Sequence, residues 1–192
     1  MTEILEFEIV ETVGNFIQDN VNDIVTPNRK RWVFPTFPEK NAALPQATIE
    51  VSDIGYENDS AGDFLYSTQL LNGDYREYYY KKAEGTMHIY VITKKDSSFE
   101  VDYDQGKRYL TNKPLNIYLT HNIRNTLFKN RGELLKKFLD FHITDVSPTF
   151  ENDQFTWASD ITCRVNAREV WVREYANGEL ISDYSLGINV II

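Results

Sequence analysis

The order in which hydrophobic periods change along this 192-residue chain limits what it can fold into. The first period is helical. Ile4, Leu5, Ile9, Val13, Phe16, Ile17, Val21 and Ile24 recur near helical spacing, which predicts an amphipathic helix from Thr2 to Val25. Thr2 suits the N-cap, and Glu3 and Glu6 suit the positive end of the helix dipole. Gly14 weakens the helix locally, and Pro27 stops it. Its charges are all acidic: Glu3, Glu6, Glu8, Glu11, Asp19 and Asp23.

Residues 27–45 then change character. Pro27, Pro35, Pro38 and Pro45 lie beside Arg29, Lys30, Arg31 and Trp32. Proline fixes φ and removes a donor, so an extended arm is expected here. Trp32, Val33, Phe34 and Phe37 require a surface, either on the same chain or on a neighbour.

Strand signals follow. Ala47 to Ile54 alternates and breaks at Gly55, residues 58–63 read as a loop, and Phe64 to Leu71 reads as a short strand before an Asn72-Gly73 turn. Tyr75–Ala83 and Thr86–Lys94 are expected to form a hairpin around Glu84-Gly85, with residues 95–108 a polar, turn-rich segment. Thr111, Asn112 and Pro114 announce a second helix. It shows Leu115, Tyr118, Leu119, Ile123, Leu127 and Phe128 on one face, is interrupted at Arg131-Gly132, and continues as a stripe to Leu139. Lys129, Arg131, Lys136 and Lys137 make that region basic. Phe141–Val146, Gln154–Val165 and Ala167–Tyr175 read as strands. Asn177-Gly178 is a type I′ hairpin signal, with Leu180–Leu186 returning as the partner. Residues 187–192 form an apolar tail. Together these segments predict one domain over 1–192. Its class is α+β, with a mixed or mainly antiparallel sheet flanked by two main helices and an extended Pro-rich arm.

Composition narrows the function. An apolar fraction of 42% and an aromatic fraction of 14% suit a folded core without disulfides. A net charge of -9 disfavours direct nucleic-acid recognition, which needs basic surface to neutralise phosphates. Cys163 is the only cysteine, so no intramolecular disulfide forms. The Glu-rich N-terminus lacks the basic start and apolar run of a secretory signal. No run of about 18 apolar residues occurs, so no membrane span is expected.

The catalytic inventory is sparse. His88, His121 and His142 are scattered without the close spacing of a zinc motif, so no metal or cofactor is expected. Cys163 alternates with Ile161 and Val165, the pattern of a buried apolar thiol. Asp96, Glu100, Asp102 and Asp104 lack the glycine and terminal Glu of an EF-hand loop. Tyr78, Tyr79 and Tyr80 read as strand packing before they read as a stacking platform for a ligand. No catalytic residue stands out. The cluster Arg29, Lys30, Arg31 and Trp32 and the basic residues Lys129, Arg131, Lys136 and Lys137 remain as candidates for a protein interface.

The strand ATIEV after a Pro-rich entry, the strand MHIYVIT, the helix NIYLTHNIRNTLF and the late aromatic strands holding Trp157 and Trp171 resemble, as a pattern, tail terminator (tail completion) proteins. These occur in tailed bacteriophages and related archaeal viruses. The likeness covers most of the chain, but the family shares no diagnostic motif. It implies a non-enzymatic virion protein at the tail–neck junction, assembled in the host cytoplasm. The subunits would form a ring, commonly a hexamer, that caps the tail tube protein and meets the head–tail connector proteins. The alternatives are another neck, connector or minor tail protein, a small ligand-binding module using the tyrosine strands, and a small enzyme acting through carboxylates.

Overall fold

A computed structural model describes residues 2–21, 31–35, 43–56, 63–70, 73–96, 98–103, 106–176 and 179–187. In chain order the elements are α1 (Thr2–Asn20), β1 (Val33–Phe34), β2 (Gln46–Tyr56), β3 (Asp63–Gln69), β4 (Tyr75–Lys94), β5 (Ser98–Tyr103) and β6 (Gly106–Thr111). Then come α2 (Lys113–Lys129), α3 (Arg131–Leu134), β7 (Asp140–Val146), β8 (Phe150–Glu151), β9 (Thr156–Ala176) and β10 (Glu179–Gly187). The class is α+β, and the sheet is mostly antiparallel: among the described strands only β1 and β2 pair in parallel.

β4 and β9 form the spine. They stay in one register from Tyr75 opposite Tyr175 to Lys94 opposite Thr156. At one end β2 adds beside β4, while β7 and β8 add beside β9. At the other end β3 adds beside β4 and β10 beside β9, which makes a four-stranded blade.

Alternation decides which face is buried. Ile49, Ile89 and Ile161 line up across three strands, as do Met87 and Cys163, and all are fully buried. Leu5, Ile9, Val13 and Ile17 of α1 and Leu115, Leu119, Ile123 and Leu127 of α2 join this same core. Gly14 comes within 3.5 Å of Ile49 Cδ1, measured from where a Cβ would stand, so the helix packs closely on β2 there.

Glu84-Gly85 is not a turn. The expected hairpin is instead the single 20-residue strand β4. A Cβ on Gly85 would sit 3.1 Å from Ile54 Cγ1, because β2 shifts register between Ser52 and Gly55 and leans on this position. The glycine answers a packing demand. The two expected late strands likewise merge into the 21-residue β9. The polar segment expected at 95–108 is taken up by the β5–β6 hairpin, which runs on to Thr111 and whose described β6 residues are largely exposed. The second helix ends at Lys129, α3 adds one turn, and the stripe toward Leu139 leaves the helix. Glu179 opposes Ala176, so the strand ends flank residues 177–178, which lie outside the described residues, as does most of the C-terminal tail.

Candidate functional site

The first expected interface cluster splits. Arg29 and Lys30 lie outside the described residues. Arg31 is exposed, and its Nε donates to the Val33 carbonyl at 2.8 Å. Trp32 is corrected: it is fully buried in its own chain and offers no surface to a partner. Its indole Nε1 donates to the Val21 carbonyl at 3.1 Å, and its backbone N–H donates to Gln18 Oε1 at 2.9 Å. Its carbonyl accepts from the Ala47 N–H at 2.9 Å. A tryptophan at the end of a basic run is pulled inward because both its ring area and its polar tip find partners there. Residues 31–35 therefore dock in cis.

The residues of the second cluster follow one another from the end of α2 to just past α3. Lys129, Lys136 and Lys137 are exposed around the α2–α3 corner, beside Phe128 (76% exposed), Leu135 and Leu139. Lys136 pairs with Glu133 at 2.7 Å. Arg131 is the anchor: its Nε donates to the Phe141 carbonyl at 2.6 Å and its Nη2 to Asp140 at 2.7 Å. Burial pushes the Asp140 carboxyl up, but Arg131, His142 and the Phe141 N–H together hold it below the usual carboxylate range. Such a group stabilises the fold above its unfolded pKa, and the gain is lost as pH falls through the native pKa. The stability gap between wild type and Asp140→Asn in urea unfolding should be present at neutral pH and should close as pH falls below the ordinary value of 3.8. A gap that does not change with pH would contradict this.

The blade is aromatic, but its rings are largely engaged with one another. Tyr66 stacks on Tyr78 at 4.5 Å between centroids, and Tyr75 on Tyr175 at 4.6 Å. Arg173 lies 4.8 Å above Tyr79 and Arg168 lies 4.7 Å above Tyr80. Glu169 is buried and accepts from the Tyr56 hydroxyl at 2.8 Å; burial and this carboxylate raise the Tyr56 pKa. The blade's free surface lies at its edge. On β10, Leu180 is 52% exposed, Ile181 62%, Tyr184 38% and Leu186 37%. The successive apolar pair Leu180-Ile181 was the sequence signal for it, since neighbours on a strand point to opposite faces and only one can be buried by a single layer.

A groove runs between α2 and the chain from β7 to β8. It has a volume of about 370 Å³ and is lined in part by Lys113, Ile117, His121, Arg124, Val146 and Pro148. Its floor is fixed. Thr149 donates to Asn116 Oδ1 at 3.0 Å, Asn116 Nδ2 donates to the Val91 carbonyl at 2.8 Å, and the Thr120 and Ser159 hydroxyls share a hydrogen bond. Reading the sequence missed this groove, although Lys113, Ile117, His121 and Arg124 recur on one helical stripe.

The histidines stay apart, as their sequence positions suggest. His88 Nδ1 meets Asp160 at 2.8 Å on the sheet, His142 meets Asp140 at 3.0 Å, and His121 lines the groove. Among the described residues, no three His, Cys, Asp or Glu side chains are placed to hold a metal ion, and no helix is long and apolar enough to cross a membrane. Cys163 is fully buried in the core, and burial pushes its thiol up to about 12. A thiol-specific reagent at neutral pH should leave native protein unlabelled and label it only as fast as it unfolds. Rapid labelling under native conditions would contradict that burial.

No protein-family model matches this chain, and no curated protein matches it significantly.

Proposed function

We propose that this chain is a structural subunit of a viral tail, a tail terminator that closes into a ring, with six copies the expected number. The observation that carries this is β10, an edge strand that exposes Leu180, Ile181, Tyr184 and Leu186. An edge strand presents unpaired backbone donors and acceptors, and apolar side chains on it favour a second chain. A closed ring leaves no such edge open, since heterologous contacts close when the rotation closes. In this proposal the sheet flanked by its two main helices forms the ring wall, and residues 27–45 are an arm tied down at Trp32. The exposed corner of Phe128, Lys129, Lys136 and Lys137 is then available to the tail tube protein or the head–tail connector proteins. The role is geometric, with no catalytic residue and no cofactor. The protein acts in the virion after assembly in the host cytoplasm.

The test is capping. Labelled protein added to polymerising tail tubes should sit at tube ends and shorten the length distribution. Label spread along the tubes, or unaltered lengths with no label at the ends, would overturn the proposal. A Leu180→Lys, Ile181→Lys variant should stay folded and lose this activity.

A further inference from the structure

We infer that neighbouring copies lock together by seating the exposed side of α1 from one chain in the basic groove on α2 of the next, an inference that rests on the ring proposed above. The groove carries Lys113, His121 and Arg124 on its rim, and among the described residues no acidic side chain lines it. Neither His121 nor Arg124 has an ion-pair partner among the described residues. Between these side chains Ile117 is 49% exposed, with Val146 and Pro148 completing an apolar bed. An occupant must therefore bring acidic groups spaced along a rod, plus one apolar side chain.

The same chain carries such a surface. α1 carries five acids, Glu3, Glu6, Glu8, Glu11 and Asp19, and no Lys or Arg between Thr2 and Asn20. Phe7 stands 55% exposed, although the opposite side of the helix is buried through Leu5, Ile9, Val13 and Ile17. Glu11 lies one turn from Phe7 on the solvent side, with Asp19 exposed further on. Neither acid has an ion-pair partner among the described residues. The dimensions agree. At 1.5 Å per residue, Phe7 to Asp19 covers about 18 Å and Lys113 to Arg124 about 16 Å. A groove of about 370 Å³ has room for one phenyl ring with chain atoms around it.

Among the described residues the acidic ridge does not fill its own groove, because no α1 side chain lines it. Ridge and groove are thus two different patches on one molecule. A contact between different patches is heterologous, so each chain gives a ridge to one neighbour and takes one from the other. Charge complementarity of this kind also fixes register, since like charges brought together are strongly disfavoured.

Two charge-reversed variants test the contact. The groove variant is Lys113→Glu, Arg124→Glu, and the ridge variant is Glu11→Lys, Asp19→Lys. Lys113, Arg124 and Asp19 are exposed and Glu11 is half-buried, and thermal unfolding and circular dichroism check that each variant folds as wild type does. Assembly is read by sedimentation and native mass spectrometry over a concentration series. Each variant alone should assemble about 100-fold more weakly than wild type, as expected for several like-charge contacts in every interface. Mixed in equal amounts they should recover rings holding equal numbers of each, because every ridge again meets an opposite groove. Variants that each assemble as well as wild type would overturn this contact while leaving the ring intact. Folded variants whose mixture fails to recover would overturn it as well. A wild-type protein that neither forms rings nor caps tubes would remove the ring proposal, and this contact with it.

Discussion

Trp32→Ala is expected to destabilise the protein by about 3–5 kcal/mol, the range for emptying a large aromatic site in a core. Trp32 is fully buried, and two of its polar atoms bind Gln18 of α1 and Val21, the residue that follows the helix. Truncation opens a cavity between α1 and the start of β1, and it leaves the Val21 carbonyl without the indole donor. The Gln18 contacts to the Trp32 and Val33 N–H groups use the backbone and can persist. Trp32→Phe separates the two effects, since it keeps most of the ring area and loses only the donor, for about 1–3 kcal/mol. Urea unfolding reads both. A Trp32→Ala loss below about 1 kcal/mol, the size of a surface change, would contradict the placement of this residue.

Asn116→Leu should cost about 3 kcal/mol, because buried polar groups left without partners cost roughly 1–3 kcal/mol each and do not add fully. Asn116 is fully buried near the start of α2. Its Nδ2 reaches the Val91 carbonyl at 2.8 Å and the Trp157 carbonyl at 3.4 Å, and its Oδ1 accepts from Thr149 at 3.0 Å. One side chain therefore ties the helix to β4, β9 and the groove floor. Leucine conserves volume and satisfies none of these groups. Thr149→Val removes only one of the bonds and should cost about 1 kcal/mol. Equal losses in the two variants would show that Asn116 does not hold the junction.

The core face was legible because burial leaves a period. Ile49, Val51, Met87, Ile89, Ile161 and Cys163 alternate with polar neighbours, and only one face of the sheet is apolar there. The long strands were not legible, because Glu84-Gly85 carries a turn's composition for a packing reason set by Ile54, a residue on another strand. The β5–β6 hairpin was hidden by its exposure, since strands with little buried area leave little alternation to read. Trp32 was misassigned to a surface because its partners, Val21 and Gln18, lie on a separate element. The exposure of Lys129, Lys136 and Lys137 was legible because charged side chains at a helix end stay solvated. The groove needed Val146 and Pro148 to meet α2, a tertiary fact that no local pattern contains.

Negative-stain imaging of purified protein across a concentration series shows whether copies of this chain close a ring. Uniform closed rings with a central opening are predicted, replaced by single particles when Leu180 and Ile181 are changed to Lys. Compact monomers at every concentration, both free and in the presence of tail tubes, would contradict the ring.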